Sequence, residues 1–288
     1  MVIGDIVTRN SYNHDIEFVV DGISDHLILL SGLHYRLLAD APLEDLRLCT
    51  TKKEYVTSPK DTTDETTLIS ATTKDFFHNL LDWRNDLSSI PIPVHEYEST
   101  LLSNKSCFVK ILHIDANERY LKKCLSEYKR LKVPVIGITM KEEKQAMCIQ
   151  GTLDKYHPNI LVITGHDSMQ KTPYVPSDMN SYLNSKYFAE SIKIARTYNR
   201  NYDDLVIIAG GCYSHYEALI KAGANFASSP NRSLINVLEP VSIACTIAST
   251  SVQTTLTMDY IIANAPTKVS GFGGIETRGQ CRELKPSF

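Results

Sequence analysis

The sequence predicts an α/β fold, a parallel sheet flanked by helices, preceded by a small β module. Three observations carry that prediction. From Cys107 onward, short apolar runs alternate with segments of helical spacing. Before residue 50, apolar runs are separated only by Gly-containing turns such as Asp21-Gly22 and Ser31-Gly32. Finally, two of the later apolar runs pass directly into glycine and then a reactive side chain, as strands of an open parallel sheet do where they meet a ligand.

The N-terminal runs Ile16 to Val20, Leu27 to Leu30 and Tyr35 to Ala39 are expected strands. With the opening Gly4-Asp5-Ile6-Val7 they suggest a small SH3-like β module over 1–49, or else a β-rich extension packed on the main domain. Residues 50–74 are dominated by Thr, Lys, Asp, Glu and Ser, too polar to offset the entropy of ordering, and are expected to form a flexible linker. A short helix is expected at Phe76 to Arg84, and Ile90-Pro-Ile-Pro93 is expected to be extended because proline cannot sit inside a helix. The α/β domain would span 75–288. Its expected strands are Phe108 to His113, Val133 to Ile138, Ile160 to Thr164 and Leu205 to Ala209. The helices between and after them are Asn117 to Leu131, Lys141 to Tyr156, Tyr182 to Tyr198 and Tyr213 to Ala222. Right-handed crossovers then place helices on both faces of the sheet. Beyond Ala227, Val241 to Ala248 reads as a strand, Met258 to Asn264 as a helix, and Gly271 to Gly279 as a loop.

Composition narrows the function. A chain of 288 residues with a net charge of -3 has no basic footprint for nucleic acid. No run approaches the roughly 20 apolar residues of a membrane helix, and the first residues lack a secretory pattern, so no membrane partner is expected. Seven cysteines contain no Cys-x-x-Cys pair, and reduced thiols are the expectation. Cys212 and His215 could form half of a metal site, but no second pair accompanies them; neither metal nor cofactor is expected.

The chemistry gathers in Ile160-Leu-Val-Ile-Thr-Gly-His-Asp167 and Leu205-Val-Ile-Ile-Ala-Gly-Gly-Cys-Tyr-Ser-His215. If the two strands are neighbours, their ends lie about 5 Å apart, close enough for a thiol and an imidazole to serve one carbonyl. Cys212 is the expected nucleophile, at a helix start that would favour the thiolate. His166 is its expected acid/base partner. Backbone N–H groups of Gly211 and Asp167 are the expected oxyanion donors. His113 and Asp115 end a strand on the same edge, where structural roles are expected.

Several longer stretches resemble the sporulation-specific YabG peptidases of endospore-forming bacteria: Ile3-Gly-Asp-Ile-Val7, Tyr120-Leu-Lys-Lys-Cys124, Val133-Pro-Val, Leu161 to Asp167, Gly223-Ala-Asn-Phe-Ala-Ser-Ser-Pro230 and Gly273-Gly-Ile-Glu-Thr-Arg-Gly279. The resemblance implies a protease that processes spore-coat and cortex-related proteins in the mother cell. A wider similarity to the caspase, legumain and clostripain group rests on His preceding Cys at successive strand ends. It implies a caspase-like or flavodoxin-like sandwich, a Cys/His dyad and a pocket for the residue before the scissile bond. Here Asp167 stands where that group has Gly. A basic residue is the expected preference, with Glu276 either contacting it or pairing with Arg278. The rival readings are an amidotransferase-like Cys hydrolase, which places its His after the Cys, and a flavodoxin-like binding domain.

Overall fold

The computed structural model describes residues 1–24, 27–49, 94–97, 109–169 and 175–282. The expected linker at 50–74 and the expected helix at Phe76 to Arg84 lie outside the described residues. The N-terminal part is a five-stranded antiparallel sheet of β1 (Ile6–Arg9), β2 (Glu17–Ile23), β3 (Ile28–Gly32), β4 (Leu38–Ala41) and β5 (Leu46–Leu48), in the order β4-β3-β2-β1-β5. Period-two alternation turns Val7, Phe18, Val20, Ile28, Leu30 and Ala41 into a small core of its own. The expected strand Tyr35 to Ala39 is displaced: β4 starts at Leu38, and residues 34–36 bulge out between Leu33, which donates to Glu17 O, and Leu37, which accepts from Gly32 N.

The main sheet contains β6 (Val94–Tyr97), β7 (Ile111–Asp115), β8 (Val135–Thr139), β9 (Ile160–Thr164), β10 (Val206–Gly210), β11 (Phe226–Ser228) and β13 (Phe272–Gly274). Its order is β13-β11-β10-β9-β7-β8-β6. The five central strands are parallel, and β6 and β13 close the two edges antiparallel. A two-stranded ribbon, β12 (Thr255–Leu256) with β14 (Thr277–Arg278), lies apart. The inner strands are buried on both faces, which explains their continuous apolar sequence. Ile111, Val162, Val206 and Ile208 face α1 (Glu118–Arg130) and α5 (Glu239–Ser249). Leu112, Ile114, Leu161, Ile163 and Ile207 face α2 (Glu142–Tyr156) and α3 (Ser185–Tyr198).

Two helices depart from the sequence expectation. Val241 to Ala248 is not a strand but the body of α5, buried around its whole circumference from Glu239 to Ala248. An apolar run without polar faces has no period to read, and Pro240 in the first turn was the local sign of a helix start. The helix expected from Tyr213 begins only at Tyr216, as α4 (Tyr216–Ala222), because Tyr213 has a left-handed backbone at φ 59°. The last helix, α6 (Met258–Asn264), falls where expected. Gly271 to Gly274, expected as a loop, supplies the edge strand β13. Cys281 is disulfide-bonded, which corrects the expectation of reduced thiols at that position.

His113 is wholly enclosed beneath the carboxyl edge, 3.3 Å from the Tyr128 hydroxyl and 3.1 Å from Thr164 Oγ1. Burial pushes its pKa down to about 3, so the folded protein holds it neutral. The unfolded chain takes a proton near 6.5. Stability is therefore complete above that value and falls as pH drops through 6.5 toward 3, by up to about 1.4 kcal/mol per unit. Urea denaturation at pH 7 and pH 4.5 checks this: His113→Gln is expected to lose less stability between the two conditions than the wild type.

Candidate functional site

Asp115, Thr164 and Gly210 lie side by side at the carboxyl ends of β7, β9 and β10. The two strands that carry the expected dyad are thus direct neighbours, and their following turns touch. A Cβ added to Gly211 would stand 2.5 Å from Gly165 O and 3.2 Å from Asp167 N, so the two backbones approach closely only because Gly211 has no side chain. Gly210, at φ 111°, needs glycine for its backbone conformation.

Asp167 ties this junction together. Its buried carboxylate accepts hydrogen bonds from Ser168 N at 2.9 Å, Asn184 N at 2.8 Å, Ser214 Oγ at 3.0 Å and the Ser185 hydroxyl. Three segments meet there: the turn after β9, the start of α3 and the turn after β10. Ser214 Oγ also accepts from Gly211 N at 2.9 Å. The Gly211 N–H is therefore engaged within its own turn rather than free to face an oxyanion, and Ser228 and Ser229 donate to the Gly211 carbonyl.

Cys212 is fully buried. Its sulfur accepts from Ile235 N at 3.1 Å. It precedes α4 by four residues, so no helix terminus supports the anion as the sequence had suggested. Burial pushes the thiol up to about 11, against the Ile235 N–H and the charge and backbone N–H of Arg36. In this arrangement the resting group is the neutral thiol.

His166 donates its backbone N–H to Glu142 Oε1 at 2.7 Å, and its ring Nδ1 lies 3.5 Å from the same oxygen. Its Nε2 is buried and has no hydrogen-bond partner among the described residues. The ring lies 5.4 Å from that of Tyr120. A buried carboxylate on one nitrogen and an unused second nitrogen is the arrangement of an oriented acid/base. Sequence reading did not single out Glu142, which falls inside the helix expected at Lys141 to Tyr156. His215 is separate from this pair: its ring packs on Tyr182 at 4.8 Å and bonds Glu217 and Ser177. Among the described residues no cluster of His, Cys, Asp and Glu could hold a metal ion.

Glu276 is not brought to this edge. β13 runs antiparallel to β11, pairing Phe272 with Ser228 and Gly274 with Phe226, so the chain has left for the opposite end of the sheet before residue 276. Arg278 pairs there with Asp203 rather than with Glu276. Glu239 is near Cys212 electrostatically, yet its oxygens accept from Asn236 N, Ser270 N and Gly271 N and hold the chain around α5.

The N-terminal sheet reaches the same edge. His34 to Leu37 runs beside Ile235 to Val237, with Arg36 N donating to Ile235 O at 3.1 Å, Val237 N donating to His34 O at 3.0 Å and an antiparallel bridge between Tyr35 and Asn236. The Arg36 side chain is fully buried and pairs with Asp115. Tyr120 Oη lies within hydrogen-bond distance of the carbonyls of Gly32, Tyr35 and Leu37.

A central, mostly parallel sheet defines an α/β protein, and the turns carrying His166 and Cys212 lie at its carboxyl edge, where such folds bind their ligands. The chain belongs to the YabG peptidase U57 family, whose model matches residues 2–286. It is 38% identical over 285 residues to the sporulation-specific protease YabG of Bacillus subtilis strain 168, covering 97% of this chain and 96% of that protein. It is a sporulation peptidase. No solved structure matches it.

Gly211 can be tested against a glycine that packs on nothing. Gly211→Ala is expected to destabilise the protein by about 1–3 kcal/mol, because backbone must move to admit the methyl group. Gly151, inside α2, has nothing within 4 Å of its would-be Cβ. Gly151→Ala should raise stability by about 0.5–1 kcal/mol through helix propensity. Thermal denaturation of the two variants checks the opposite signs.

Proposed function

We propose that the chain is a cysteine endopeptidase in which Cys212 attacks the scissile carbonyl and His166 moves the proton. Its substrates are spore-coat and cortex-related proteins, cut after basic residues in the mother cell of a sporulating bacterium. The observation that carries the reading is the meeting of the His166 and Cys212 turns at the ends of adjacent parallel strands, packed backbone to backbone at Gly211. An unpartnered, buried Nε2 on His166 supports its role as the group that takes the thiol proton and delivers it to the leaving amine. The thiol, held neutral by burial, becomes a nucleophile by giving its proton to the imidazole as it attacks. The Asp167 N–H remains a proposed oxyanion donor, since it faces the same junction. We place no substrate contact on Glu276.

Glu142 is a positioning residue in this reading: it fixes the orientation of the imidazole through Nδ1 and the backbone N–H. Cys212→Ala and His166→Ala are each expected to lower proteolysis of a spore-coat protein by about 1000-fold or more, with unchanged circular dichroism. Wild-type turnover in a folded Cys212→Ala would remove the nucleophile assignment. Glu142→Gln should lower kcat by about 10- to 100-fold with little change in KM, and Glu142→Asp should recover part of the loss. An equal effect on KM would instead make Glu142 a merely structural residue.

A further inference from the structure

We infer that His34 to Leu37 lies in the substrate groove as the enzyme's own first substrate, with Arg36 in the specificity pocket, Asp115 at its base and Arg36–Leu37 as the bond cut. The inference rests on the reading of Cys212 and His166 as the catalytic pair.

Three observations meet at Arg36. The first is backbone pairing. Peptides recognised in extended form bind through antiparallel main-chain hydrogen bonds, with alternate side chains filling pockets. His34 to Arg36 pairs this way with Ile235 to Val237, the chain then turning at Arg36 with Leu37 N donating to Tyr35 O at 2.9 Å, and Ile235 is the residue whose N–H bonds the Cys212 sulfur. The second is the pocket. Asp115 lies at the carboxyl edge, two strands from the Cys212 turn and in register with Gly210 through Thr164. It is held by the Asn117 N–H at 2.8 Å and the Thr164 hydroxyl at 2.7 Å, which leaves a fixed anion facing the guanidinium. A buried carboxylate of this kind selects a basic side chain.

The third is how Arg36 is held, compared with Arg196. Arg196 directs its Nε to Gly223 O at 2.7 Å and its two terminal nitrogens to Leu205 O at 2.8 Å and Asn225 Oδ1 at 2.6 Å, as a buried structural arginine should. Arg36 pairs with Asp115, donates to Val237 O at 3.3 Å and to Cys124 Sγ at 3.5 Å, and its guanidinium carbon lies 5.7 Å from the Tyr120 ring centre, while its Nε is buried without a hydrogen-bond partner among the described residues. The pocket fits one charge and leaves the rest of the side chain loosely satisfied, as suits a site that must also accept other chains.

The self-cleavage step balances with water as the only co-reactant. The Cys212 sulfur forms a bond to the Arg36 carbonyl carbon as its proton passes to His166. The bond from that carbon to the Leu37 nitrogen breaks, and the proton goes from His166 to the leaving amine. Water then adds to the thioester with its proton taken by His166. The carbon–sulfur bond breaks, the proton returns to sulfur, and the products are an Arg36 carboxylate and a new chain beginning Leu37-Leu-Ala-Asp-Ala41.

N-terminal sequencing and intact mass of the purified full chain test this directly. The wild type is expected to yield a Leu37 terminus at a rate independent of protein concentration. That terminus should be absent in Cys212→Ala and in Arg36→Gln. In parallel, fluorogenic peptides differing only in the residue before the bond are assayed with wild type and Asp115→Asn. The ratio of kcat/KM for Arg peptides to that for Leu peptides is expected to fall about 100-fold in the variant, a readout that a loss of folded enzyme does not move. If the wild type cuts Arg peptides in a Cys212-dependent manner but its own 36–37 bond stays whole, the inference is overturned and the peptidase reading stands. An equal loss by Asp115→Asn on every peptide makes the residue structural and likewise overturns its assignment. If wild type and Cys212→Ala cut peptides equally, the catalytic reading itself falls.

Discussion

An arginine and an aspartate that are both wholly shielded from water can remain charged only by facing each other, and Arg36 and Asp115 do so at the point where the N-terminal sheet meets the main one. Burial works against the guanidinium charge, and Asp115 outweighs it. The same holds in reverse for Asp115, which Arg36 keeps below the ordinary carboxylate range despite burial. Removing either partner would leave an uncompensated charge in the interior, a cost of about 3–5 kcal/mol. The pair therefore fixes where residues 33–37 run, and with them the Tyr120 hydroxyl, the Ile235 to Val237 segment and the surroundings of the Cys212 thiol.

A second constraint operates one strand away. The turns after β9 and β10 are held by the Asp167 carboxylate rather than by apolar packing, with Ser185, Ser214 and the Asn184 backbone as donors. Fixed donors around a buried acceptor specify geometry more tightly than side-chain packing does, because each unmade bond would cost about 1–3 kcal/mol. Asp167 thus has a physical use here: its side chain braces the turns after β9 and β10. The price is a Gly211 N–H committed to Ser214.

The two strands that lead into the candidate site were legible in the sequence. Apolar runs ending in Gly-His-Asp and Gly-Gly-Cys marked β9 and β10, since parallel strands buried on both faces need continuous apolar sequence and open beyond their carboxyl ends. Glu142 could not be found that way. It lies 24 residues before His166, and only the packing of α2 against the sheet brings its carboxylate to the ring. Glu276 failed for the converse reason: a carboxylate beside glycines looked like a loop near the cleft, but the antiparallel direction of β13 carries it to the far end.

By itself the sequence determined the alternation of strands and helices, the position of the turns after β9 and β10 and the family, because local periodicity and short motifs are properties of neighbouring residues. It could not decide that Val241 to Ala248 is a helix, since an apolar segment buried on every side carries no periodicity. Nor could it give the state of the Cys212 thiol, which depends on burial and on Ile235 and Arg36, far away along the chain. The pairing of Arg36 with Asp115 was likewise beyond it. Electrostatic and desolvation energies depend on distance in space and on the loss of water, and only the tertiary structure sets either.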